Sequence, residues 1–127
     1  MEIFLKMPNK TEKGILSSEK VYDLALCRLA AVFKVKKGEL RPEMIFGEDL
    51  KSPKKRFFFS IEDNLIDVYE DVSFITTAVY RKNKEFFGDV ALEEIHANTV
   101  DEYCKHMVRC YRVVPDLVES VLKYSPP

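Results

Sequence analysis

Between Leu65 and Phe86 the apolar residues Leu65, Val68, Tyr69, Val72, Ile75, Val79 and Phe86 each have another of the set three, four or seven residues away. A stripe of that period fits one face of an α-helix and cannot serve a strand, whose faces alternate every two residues. The spacing predicts a helix over roughly 61–83, started by Ser60 with Asp63 in a capping-box-like pair. A helix this long needs apolar partners, and the rest of the chain offers them at the same period.

Ser17-Ser18-Glu19 reads as a helix start, and Val21, Leu24, Ala25, Leu29, Val32 and Phe33 follow at helical spacing. Lys36 and Lys37 before Gly38 suit a helix end, so this helix is predicted over 18–36. Thr99-Val100-Asp101-Glu102 is a capping box opening a helix that buries Val100, Tyr103, Cys104, Met107, Val108 and Tyr111. Pro115 kinks that helix or starts a new one, and the apolar face continues to about Tyr124. Val90–Ile95 reads as a short helix or turn. Residues 38–59 hold Gly38, Pro42, Gly47 and Pro53 and form a long connection. MEIFLKM alternates and reads as a short strand or an N-terminal arm over 1–16. With 127 residues, 46% of them hydrophobic, the chain is expected to be a single all-α domain with its core over about 17–124.

Composition narrows the function classes. Net charge is −1, which gives the whole molecule no pull toward nucleic acid or membrane. The charge is segregated: residues 1–59 hold 13 Lys/Arg against 8 Asp/Glu, and residues 60–105 hold 4 against 11. Either the middle segment presents an acidic face to basic partners or it is an ordinary solvated helix face. The basic run Lys51, Lys54, Lys55 and Arg56 beside Phe57, Phe58 and Phe59 has the ingredients of a nucleic-acid contact, but the acidic helix that follows opposes it. A solvated loop anchored by buried phenylalanines is the expectation there.

No motif of nucleophile, base and orienting acid and no glycine-rich phosphate loop is present, so no enzyme activity is expected. His96, Cys104, His106 and Cys110 match no common zinc spacing, and no metal is expected. Three cysteines with no signal-peptide pattern in MEIFLKMPNK suit free thiols in a reducing cytoplasm. No run reaches the ~18 apolar residues of a membrane span.

The order of elements, with VKKGELRPEMIFGEDL (35–50) and EFFGDVALEEIHANTVDEY (85–103), resembles the acyl carrier protein family over about 17–110, with an insertion. Phe46-Gly47-Glu48-Asp49-Leu50 stands where the family ends its long loop. Phe86 or Phe87, Val90, Glu93-Glu94 and Thr99-Val100 stand where it passes from its second helix to its last. The resemblance implies a four-helix, acyl-carrier-like bundle with a long first loop, an extended second helix and a kinked C-terminal helix.

It also implies a serine bearing 4′-phosphopantetheine inside Asp-Ser-Leu, whose thiol carries an acyl or aminoacyl group in fatty acid or polyketide biosynthesis. Here Asp63-Asn64-Leu65 aligns with that motif, and the Asn64 amide cannot form the phosphodiester. Ser73 sits at a family-like distance from Phe87 but falls inside the helical stripe. Ser60 reads first as a helix cap, and Ser52 is followed by Pro53.

The leading expectation is therefore a specialised or degenerate carrier-like monomer with no cofactor. It would dock the basic surface of a synthase, ligase or transferase through Glu62, Asp63, Asp67, Glu70 and Asp71. One alternative is a true carrier with 4′-phosphopantetheine on Ser73 or Ser60. The other is a helical interaction adaptor, in which Phe46 and Leu50 would be exposed.

Overall fold

Ser17 places its hydroxyl 3.1 Å from the Lys20 amide and caps the first helix, α1 (Ser18–Phe33). In the computed structural model, which describes residues 15–50 and 63–123, three further helices follow: α2 (Asp63–Lys82), α3 (Val100–Tyr111) and α4 (Pro115–Val121). Single 3-10 turns stand at Lys37–Glu39 and Leu92–Glu94. No strand occurs among the described residues, and extended pairing is limited to two isolated bridges. The chain is thus all-α there, and none of its described helices is long and apolar enough to cross a membrane. Ser52, the Lys51–Arg56 run, Phe57 to Phe59, Ser60, Glu62 and most of the N-terminal arm lie outside the described residues.

α1 ends three residues earlier than its sequence suggests. Lys34 adopts the left-handed conformation (φ 58°), and the Val35 amide returns to the Ala30 carbonyl at 3.0 Å. Glycine normally fills that turn, whereas Gly38 falls within the following 3-10 turn. The C-terminal segment is likewise two helices rather than one kinked helix. Pro115 takes the first position of α4, where its missing amide costs nothing.

The core gathers one face from each helix. Val21, Ala25, Leu29 and Phe33 of α1 meet Val68, Val72, Ile75 and Val79 of α2, with Tyr103, Cys104, Met107 and Cys110 of α3. Tyr69 departs from the expected stripe. It stands at the shoulder of the buried arc and is 53% exposed.

The loop after α1 closes one end of this core. Phe46 is buried, stacked on Phe33 at 5.9 Å between centroids and edge-on to Tyr103 at 6.3 Å. The helix-start amides of Val100 and Asp101 would otherwise lack acceptors. They donate to the carbonyls of Met44 and Pro42, each at 3.0 Å. The Phe46 amide in turn donates to the Asn98 carbonyl at 2.9 Å. Phe46–Leu50 then winds back on itself, with the Gly47 amide 2.8 Å from the Leu50 carbonyl. Gly47 sits at φ +89°, a conformation that side-chain-bearing residues rarely adopt.

Candidate functional site

α2 is the element on which the expected site residues converge, and its three faces differ. Its outer face carries Asp67, Glu70 and Phe74, all exposed, with Phe74 54% accessible. Asp67 and Glu70 make no ion pair among the described residues. Asp63 opens the helix.

Asp71 does not share that face. It is 9% exposed and turned into the bundle, where Arg28 donates to it through Nε at 3.0 Å and Nη2 at 3.2 Å. The Tyr103 hydroxyl donates to the same carboxylate at 2.7 Å. The hydrogen bond to Asp71 raises the Arg28 pKa further, and burial pushes the Tyr103 phenol well above its ordinary value. Asp71 is therefore a buried tie between α1, α2 and α3, removed from the set of docking carboxylates. The sequence held a signal for it. Arg28 falls between Ala25 and Val32 at core spacing, and Asp71 falls three residues from Val68, so two opposite charges occupy apolar register positions.

Asn64, at the Asp-Ser-Leu-like position, sits in the first turn of α2 and is half-buried. Its side-chain amide donates to the Val32 carbonyl near the end of α1. An asparagine there satisfies a helix-end carbonyl, which an esterified serine, with no O–H left to donate, could not. Ser73 lies ten residues into α2, about 15 Å from its start at 1.5 Å per residue, and so lacks helix-start amides. It is exposed and lines a cleft of about 550 Å³ between α2 and the 92–98 segment. Thr76, Thr77, Ile95, His96 and Asn98 also line it, and Glu93 stands at the rim.

Beneath the cleft, the Thr76 hydroxyl and His106 Nε2 are 2.8 Å apart, and the His106 ring stacks on Phe87 at 6.1 Å. Burial, with Arg109 nearby, pushes the His106 pKa down to about 4, so the ring is neutral at pH 7. Cys110 Sγ lies 3.6 Å from His106 Nε2 on the shared helix face. Burial pushes the Cys104 and Cys110 thiols up to about 12, which keeps both as weak nucleophiles. Among the described residues no three His, Cys, Asp or Glu side chains come together as a metal-ion site.

Chemically, this region offers two things. One is an acidic, partly apolar outer face on α2, suited to a basic surface. The other is a hydroxyl-lined cleft with a single exposed serine on its lip. Set against protein-family models, curated proteins and solved structures, the chain matches none.

Proposed function

We propose that the protein is a carrier-like docking protein without a covalent load, which meets a basic partner enzyme through the outer face of α2. The observation that carries this reading is Asn64. By the resemblance it stands where a carrier would hold its esterified serine, and its side-chain amide donates to the Val32 carbonyl of α1. Support for docking comes from Asp67 and Glu70, exposed and without ion pairs among the described residues, beside the exposed Phe74 ring. Long-range attraction from such a face speeds encounter and fades with salt. Burial of Phe46 and Leu50, at 8% and 5% exposure, argues against a plain adaptor, for which both would be exposed.

A second reading is a true carrier loaded on Ser73, favoured by the exposure of that hydroxyl at the cleft. One experiment separates the two. The chain is co-expressed with a phosphopantetheinyl transferase and weighed intact. An unchanged mass is expected. A gain of the prosthetic group that disappears in Ser73→Ala establishes the second reading in its place. A gain that survives Ser73→Ala moves the site to another serine, Ser60 first.

A further inference from the structure

α3 turns a cationic line outward, opposite to its buried face. Lys105, Arg109 and Arg112 are exposed and follow at intervals of four and three. With the first turn of α1 they line a shallow groove of about 410 Å³ whose floor is Tyr22 and Val108. Two carboxylates temper the charge: Glu19 at the rim, and Asp101, which pairs with Lys105 at 3.1 Å. Arg109 spends one of its five N–H donors on the Phe86 carbonyl at 3.3 Å, with its guanidinium 4.9 Å from the Phe86 ring centroid. Arg112 has no ion pair among the described residues. The groove thus sets Arg112, together with the remaining donors of Arg109, whose guanidinium rests on the Phe86 and Phe87 rings, beside Tyr22 and Val108, a combination suited to carboxylates next to an aromatic ring.

That chemistry is present on the molecule itself. The outer face of α2 sets Asp67, Glu70 and Phe74 at intervals of three and four, matching the reach of the cationic line in charge, apolar character and length. We propose that the α3 groove receives the α2 outer face of a second copy of this chain, with Asp67 and Glu70 toward Arg109 and Arg112 and Phe74 on the Tyr22–Val108 floor. The two surfaces differ, so the contact is heterologous: copies add head to tail, or close into a dimer where two copies exchange both contacts. The attraction rests mainly on exposed charges, so the association is weak and salt-sensitive. It goes beyond the docking role, since it engages the same acidic face in competition with a partner enzyme.

Sedimentation velocity of the full chain over a concentration series, at low and at high salt, tests the proposal. The weight-average mass is expected to rise with concentration at low salt and to return to the monomer at high salt. Arg109→Glu/Arg112→Glu and Asp67→Lys/Glu70→Lys are each expected to abolish the rise. An equimolar mixture of the two variants restores it, because the intact acidic face of one meets the intact groove of the other. Arg112→Glu alone, which leaves the Arg109 contacts to Phe86 in place, is expected to weaken the rise, and circular dichroism verifies that every variant is folded. A wild-type chain that stays monomeric at low salt overturns the proposal. So does a rise that survives either reversal, or folded variants that fail to complement each other. None of these outcomes bears on the intact-mass experiment, so the two proposals fail separately.

Discussion

Asp71 accepts hydrogen bonds from Arg28 and Tyr103 where little solvent reaches, its side chain being 11% exposed and that of Arg28 19%. Removing the carboxylate leaves a partly buried guanidinium and a fully buried phenol without their acceptor. Asp71→Ala is expected to destabilise the fold by about 3–5 kcal/mol, read as a lowered midpoint in urea denaturation. A loss under about 1 kcal/mol, the range of a surface ion pair, sinks the assignment of Asp71 to the interior. His106 gives the second expectation at this scale. Its pKa falls from an ordinary 6.5 to about 4 on folding. Between those values the unfolded chain binds the proton more readily than the folded one. The stability is complete above pH 6.5 and declines as pH falls toward 4, by up to about 3 kcal/mol. Thermal melts from pH 7 to pH 4 on wild type and His106→Gln measure it, and the variant is expected to show the shallower slope. Neither residue's role was named from sequence. Arg28 and Asp71 stand at apolar register positions, a visible anomaly, but which charge meets which depends on how three helices pack.

Elements with local signals were the most legible. Thr99-x-x-Glu102 forms a real helix start: the Thr99 hydroxyl accepts from the Glu102 amide at 3.1 Å. The return bond differs from the usual box, since Glu102 Oε1 accepts from the Asn98 amide at 2.7 Å and not from that of Thr99. The amides of Val100 and Asp101 find acceptors more than fifty residues away in sequence, at Met44 and Pro42, and no short-range pattern announces that. The same holds for the end of α1. A lysine in a left-handed turn carries no sequence signature, whereas Gly38 nearby does, so the sequence alone places the boundary too late. The loop that supplies the carbonyls is fastened by Phe46. Phe46→Ala removes a ring packed on Phe33 and Tyr103 and is expected to cost about 3–5 kcal/mol. Hydrogen exchange is expected to quicken at Val100 and Asp101, whose amides rely on that loop. Unchanged exchange there would mean that the loop holds its place without the ring.

At the scale of the whole molecule, the all-α architecture was readable because period and caps are local and repeated along the chain. The charge balance was readable only in part. Counting side chains assigns the surplus acid of residues 60–105 to the surface, yet Asp71 is buried and Asp101 accepts from Tyr22 at 2.6 Å and pairs with Lys105. Those bonds, that from Tyr22 foremost, hold the Asp101 carboxyl below the usual range. The exposed acid is therefore narrower than its count, and among the described residues of that segment it comprises Asp67, Glu70, Glu85, Asp89, Glu93, Glu94 and Glu102.

The tie through Asp71 also bears on how this chain can diverge. Losing Asp71 strands both Arg28 and Tyr103, and losing Arg28 leaves the buried carboxylate with only a phenol, whereas exchanging all three for well-packed apolar groups is often neutral. A lineage that changes one codon at a time must cross a valley to leave this arrangement. The trio is therefore expected to be inherited or replaced as a block.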